Sequence, residues 1–276
     1  MTRHAWLATA LVLAACSSTS PSAPAGAAAS ATPVVDAIAP DRSETGPEQL
    51  VPRPPTRPPE PPIAARYSAA LVADHCVDRD LPAPPVVDPV LAVLDRSYAL
   101  PAGDIPPDLV LASAAGLEGA SGTKLVRDIV VGDLAAMRSG WLAAGLTIDL
   151  ESAYRSYEEQ AVTFETWEAR LGYEAALLRS ARPGHSEHQL GTAIDVTSPG
   201  WSGRFGDWAV ESAEGAWMAA NAWQYGFVMS YPSDGLEATC YGYEPWHYRW
   251  IGREAAAEHR SSGLPLRRFL ERYVGT

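Results

Sequence analysis

Apolar residues recur at near-helical spacing from Lys124 to Ala144, at Leu125, Ile129, Leu134, Met137 and Trp141. This spacing predicts a helix closed by Gly145, the residue type that most often follows a helix end. Leu146 to Leu150 alternates like a strand and runs into Ser152-Ala153-Tyr154-Arg155-Ser156. Glu158 to Leu171 reads as a second helix, Thr192 to Thr197 as a short strand, Ala209 to Tyr225 as a third helix and Phe227 to Tyr231 as a further strand. Leu91 to Val110 is punctuated by Pro101, Gly103, Pro106 and Pro107, so turns wrapping the surface are expected there. Helices beside short strands with non-helical connections predict an α+β fold. No segment repeats, and residues 67–276 are read as one domain.

The N-terminal pattern differs. Arg3 and His4 precede an almost wholly apolar run, Ala5 to Ala15, followed by small residues, which predicts an export signal. The run is too short to span a bilayer. Within it, Leu13-Ala14-Ala15-Cys16 resembles a bacterial lipobox. The resemblance implies cleavage after residue 15 and a lipid on Cys16, with a plain secretory signal as the alternative. From Ser17 to Pro62 lie 12 of the 24 prolines and no aromatic residue. Such a chain buries too little apolar surface to offset its ordering entropy. Residues 16–66 are therefore expected to be a disordered tether, stiffened near Pro52 to Pro62 by polyproline II character. The expected location is extracytoplasmic, anchored to the outer face of a bacterial cytoplasmic membrane, or secreted if the lipobox is unused.

Charge and cysteine content narrow the reading. The 276 residues carry a net charge of -12, which argues against nucleic acid as partner, since that function needs a basic footprint. A monomer is expected. Setting Cys16 aside leaves Cys76 and Cys240, an even pair that an oxidising compartment would join as a disulfide. Closing so long a loop would contribute about 4–5 kcal/mol in the chain-entropy model. The competing reading makes Cys240 a metal ligand, because it lies close to His247 in sequence.

Candidate chemistry concentrates in Ser186-Glu187-His188-Gln189-Leu190-Gly191-Thr192-Ala193-Ile194-Asp195 and in Glu244-Pro245-Trp246-His247. Two imidazoles and a carboxylate are a common set for catalytic zinc, with a fourth position left for water. On a strand, Ala193, Asp195 and Thr197 share one face, so Asp195 can enter a cleft while Ile194 and Val196 face the core. Spacing alone does not choose between His185 and His188 as the ligand. Glu244 and Trp246 also have bland readings, as a surface carboxylate and a core ring.

Together the strings resemble a known family. Ser186-x-His188-x-x-Gly191-x-Ala193-x-Asp195 followed by Glu244-Pro245-Trp246-His247-Tyr248-Arg249 looks like the VanY-type zinc D-alanyl-D-alanine carboxypeptidases. Ser152-Ala153-Tyr154-Arg155-Ser156-Tyr157-x-x-Gln160 is similar to the family's SGYRSxxxQ block, with Ala153 in place of glycine. Leu100-Pro101 and Pro107-Asp108-Leu109 resemble its N-terminal flank, and the likeness runs from about residue 90 to 252. The resemblance implies a Hedgehog/DD-peptidase-like domain: a small antiparallel sheet flanked by helices, with a zinc cleft. It implies Zn2+ held by His188, Asp195 and His247, and so favours His188 over His185. It makes Glu244 the general base, Arg155 the group that stabilises oxyanion charge, and Gln160 and Ser186 residues that orient the substrate. One departure stands out: where the family often has Arg before Tyr-Pro, this chain has Ser230, which bears on how a terminal carboxylate is bound. The implied activity is release of the C-terminal D-alanine from peptidoglycan stem peptides. The alternatives are L,D-carboxypeptidase or endopeptidase action on wall peptides, or a wall-peptide-binding lipoprotein without catalysis.

Overall fold

A computed structural model describes residues 75–86, 88–202 and 205–274. The leader, Cys16, the tether and the expected domain start at Tyr67 lie outside these residues. Among the described residues, eight short strands form three sheets. The strands β1 (Leu81–Pro82) and β2 (Tyr98–Ala99) pair in parallel, and β3 (Leu109–Leu111) pairs antiparallel with β4 (Leu125–Arg127). The central sheet is built from β5 (Asp149–Ser152), β6 (Ala193–Thr197), β7 (Phe227–Met229) and β8 (His247–Trp250). Its order is β5-β6-β8-β7, with every pair antiparallel. The larger helices are α1 (Asp128–Ala143), α2 (Tyr157–Leu171), α3 (Ala213–Asn221) and α4 (Arg253–Ser262). This is the expected α+β arrangement, a small antiparallel sheet with helices around it. Among the described residues no helix is long and apolar enough to cross a membrane.

The helix expected from Lys124 begins later. Leu125 to Arg127 pair with β3, and α1 starts at Asp128. Its buried stripe is Val130, Leu134, Met137 and Trp141, whereas Ile129 is about half exposed. Gly145 then turns the chain at φ +74°, as its position predicted. A glycine inside α1 has a packing reason: a Cβ on Gly140 would collide with the Tyr225 hydroxyl and press on Trp217. The third expected helix breaks at Ser212, whose hydroxyl accepts from Gly215 N at 2.9 Å and caps α3.

Residues 91–94 are not surface wrapping. Val90, Leu91 and Val93 join the main core with Leu134, Trp141, Ile194, Val196, Phe227 and Tyr248. The turns of residues 101–105 do lie exposed. The core thus backs the central sheet from one side and leaves the Asp195 and His247 side chains for the other.

Cys76 and Cys240 are joined by a disulfide across 164 positions, which excludes Cys240 as a metal ligand. The bond ties the N-terminal end of the described chain to the loop leading into Glu244.

Candidate metal centre

Strand register does the first part of the assembly. Asp195 on β6 lies directly opposite His247 on β8, and their side chains meet with Oδ1 2.9 Å from Nδ1. Ile194 and Val196, on the other face of β6, are fully buried in the core. His188 arrives on a 3-10 turn, Glu187–Leu190, whose start is capped by Ser186 Oγ accepting from His188 N at 3.3 Å. Gly191 ends the turn at φ +70°, where a Cβ would also press against Arg127 and Leu109. This brings His188 Nε2 to 3.1 Å from Asp195 Oδ2. The ligand atoms of His188, Asp195 and His247 all lie within 4.8 Å of one another, and all three residues are buried.

The outer nitrogens are fixed as well. His188 Nδ1 lies 2.6 Å from Ala153 O, and His247 Nε2 lies 3.0 Å from Glu187 Oε2. Each imidazole therefore turns one nitrogen toward Asp195 and has the other held by a carbonyl or carboxylate, the usual support of a metal-binding histidine. This donor set, two imidazoles and a carboxylate with their outer atoms satisfied, fits a divalent metal of the zinc type. His185 faces elsewhere: Nδ1 lies 2.6 Å from Asp95 O and Nε2 3.1 Å from Asp80 Oδ1.

The three side chains open into a cavity of about 230 Å³, also lined by Arg155, Gln160, Arg179, Ser186, Tyr231 and Glu244. Arg155 is steered by Ser152 Oγ and Gln160 Oε1, each accepting at 2.9 Å, and stands 3.7 Å from Asp195 Oδ2. Gln160 in turn donates to Ser180 Oγ at 3.0 Å and Ala181 O at 2.6 Å. It comes from the first turn of α2, where a Ser156–Glu159 capping box sets the helix start. Its amide is thus spent on orienting Arg155. Tyr231 tilts over His247 with ring centroids 5.0 Å apart, and Tyr241, next to the disulfide, packs edge-on against Tyr231 at 5.1 Å.

Burial and neighbouring charges divide the carboxylates into two kinds. Burial would raise the Asp195 pKa, but His188 and His247 hold it well below the carboxylate range. Burial acts likewise on Glu187, and Arg249 with His247 and Ser230 outweighs it, holding the pKa at about 2. Glu244 is the opposite case: burial, helped by the negative charge of Asp195, pushes its pKa up to about 8 against the pull of His247 and Arg155. A carboxyl whose proton affinity is raised beside a buried imidazole–carboxylate cluster is suited to accepting and returning protons.

Of the residues singled out in the sequence, His188, Asp195, His247, Glu244, Arg155, Gln160 and Ser186 all line one cavity. Ser230 is different. It is buried behind His247, where its hydroxyl donates to Glu187 Oε2 at 2.6 Å, so position 230 does not face the substrate cavity. The sequence reading missed Glu187, Arg249, Tyr231, Tyr241 and Arg179. Glu187 and Arg249 stood inside the recognised strings, but their pairing depends on the meeting of β8 with the 3-10 turn.

Known proteins resemble this chain in sequence and fold. Residues 123–253 match the model of the family VanY, D-alanyl-D-alanine carboxypeptidase. YodJ of Bacillus subtilis (strain 168) is 33% identical over 184 residues, 66% of this chain and 67% of YodJ. The structure of the LD-carboxypeptidase LdcB superimposes with a TM-score of 0.60 at 30% identity, over 69% of this chain and 94% of LdcB. A variant of the vancomycin resistance D,D-pentapeptidase VanY in complex with Zn(II) gives a TM-score of 0.56 at 28% identity, over 66% of this chain and 99% of that one. With the ordered motifs, the converging ligand set and a relative matched over two thirds of its length in agreement, the chain belongs to the VanY family of D-alanyl-D-alanine carboxypeptidases.

Proposed function

We propose that the protein is a zinc carboxypeptidase that releases the C-terminal D-alanine from peptidoglycan stem peptides. The observation that carries this reading is the meeting of His188, Asp195 and His247 at the floor of a cavity that also contains Glu244 and Arg155. A structural relative is itself described in complex with Zn(II). His188 through Nε2, His247 through Nδ1 and a carboxylate oxygen of Asp195 would hold the metal, which when bound acidifies water and polarises a carbonyl.

The remaining work falls to the chain's own side chains. Glu244 takes a proton from the attacking water and returns it to the departing amine. Arg155, held by Ser152 and Gln160, donates to the oxygen of the scissile carbonyl as negative charge develops there. Ser186 lines the same wall and orients the peptide. Arg179 lines the cavity with an exposed side chain and has no carboxylate partner among the described residues, so it is free to meet a substrate carboxylate. Tyr231 and Tyr241 wall off the His247 side from water.

Mass spectrometry of products tests the reading. The zinc-loaded protein is incubated with a pentapeptide stem and with its tetrapeptide. Loss of one alanine from the pentapeptide alone, abolished by chelator, is the expected result. Loss from the tetrapeptide would make it an L,D-enzyme, as LdcB is described. No cleavage of either would overturn the carboxypeptidase reading.

The location belongs to the same proposal. Cys16 is lipidated as the first mature residue, and residues 16–66 space the domain from the outer face of the membrane. Labelling of cells with a fatty-acid analogue, lost on Cys16→Ala, is the expected outcome; unlabelled wild-type protein would leave a secreted enzyme.

A further inference from the structure

We infer that Glu187 is the positioning residue that sets His247 for metal binding, and that Ser230 and Arg249 exist at their positions to hold it. The inference rests on the zinc reading of the site. Its starting point is that the two imidazoles use opposite nitrogens. His188 presents Nε2 toward Asp195, whereas His247 presents Nδ1. A neutral imidazole that ligates through Nδ1 must carry its proton on Nε2. Glu187 meets that requirement: its Oε2 lies 3.0 Å from His247 Nε2, and an ionised carboxylate only accepts. The carboxylate thus selects the tautomer and raises the ligand's basicity.

Glu187 is itself fixed at both oxygens. Arg249 Nη1 donates to Oε1 at 2.8 Å, and Ser230 Oγ donates to Oε2 at 2.6 Å. Arg249 is fully buried, and its Nη2 donates at 2.7 Å to both Val90 O and Ala92 O. The guanidinium neutralises a carboxylate that would otherwise be an unpaired charge in the interior. β8 and the residue after β7 therefore hold a carboxylate from the 3-10 turn, whose Oε2 meets both Ser230 Oγ and His247 Nε2.

The test is zinc affinity, measured by competition with a fluorescent chelator on the wild type, Glu187→Gln and Ser230→Ala. Glu187→Gln is isosteric and removes the charge. A 10–100-fold weaker zinc affinity is expected, in the range found for outer partners of metal-binding histidines. Ser230→Ala should weaken it several-fold. As a tautomer readout, 15N NMR of the metal-loaded protein should show the His247 proton on Nε2 in the wild type and a disturbed signal in Glu187→Gln. Unchanged affinity and an unchanged His247 signal in folded Glu187→Gln would overturn the inference. If Glu187→Gln does not fold, Ser230→Ala decides: a several-fold loss supports the role, and equal affinity refutes it. A wild type that binds no zinc would instead overturn the metal site, and this inference with it.

Discussion

His247 and Asp195 face each other across a non-consecutive strand pair, 52 positions apart in sequence yet 2.9 Å apart at Nδ1 and Oδ1. Two of the three candidate ligands are thus placed by sheet register, and only His188 depends on a turn. A one-residue slip of β8 would send His247 to the core face. This arrangement makes the ligand assignments testable one at a time.

His188→Ala is expected to abolish stoichiometric zinc binding, while His185→Ala keeps it. His185 instead bonds Asp95 O and Asp80, so its loss should cost stability, about 1–3 kcal/mol for leaving a buried acceptor unpaired. Metal analysis and denaturant unfolding of both variants check this. Equal zinc in the two would mean the wrong histidine was chosen.

Glu244→Gln should retain zinc and lose turnover by about 10²–10⁴, because a positioned base contributes on that scale. Metal content and kcat are measured on the same preparation. Zinc loss in this variant would make Glu244 a ligand rather than the base.

Arg179→Ala should raise KM for stem peptides about tenfold or more with kcat nearly unchanged, as expected for loss of a charge-assisted contact to bound substrate. Steady-state kinetics read the two constants separately. An unchanged KM would remove Arg179 from substrate binding.

The pH prediction lies away from the site. His259 packs edge-on against Phe269, and burial lowers its pKa from 6.5 to about 4. Between those values the unfolded chain binds a proton that the folded chain does not. Stability therefore falls as pH drops from 6.5 toward 4, by up to ~3 kcal/mol from this group. Melting curves of wild type and His259→Leu across that range should diverge, with the variant losing less. Parallel acid slopes would assign the loss to other groups.

Joint replacement of Cys76 and Cys240 by serine should cost about 2–5 kcal/mol. In a Cys16→Ser protein, thiol titration under denaturant should find no free sulfhydryl. A titratable pair would show that the bond does not form.

Local signals in the sequence were read better than distant partnerships. The start of α2 was placed one residue late, at Glu158, and the Ser156–Glu159 capping box that sets it went unread. The strand bearing Asp195 was legible because Ile194 and Val196 alternate with it. The start of α1 was missed because Leu125 extends a helical pattern while its backbone pairs with Leu111. Ala209 to Tyr225 looked continuous because a mid-helix serine resembles any polar residue until its hydroxyl is seen capping the next turn. Family likeness singled out Arg155 and Gln160 separately and not their contact, in which Gln160 Oε1 accepts from Arg155 while Ser180 and Ala181 take its amide nitrogen. Glu187 was the least legible, since its partners Ser230, His247 and Arg249 lie 43 to 62 positions away.

The disulfide also acts as a clock. Cys76 is synthesised near the start of the described domain and Cys240 near its end, 164 positions later. The covalent tie beside Tyr241 and Glu244 cannot close until most of the domain has left the ribosome, and it closes only where an oxidant is supplied. A reduced chain would carry every chemistry-bearing side chain and still hold that wall of the cavity by non-covalent contacts alone. For a chain exported as proposed, the covalent tie forms only after departure from the cytoplasm.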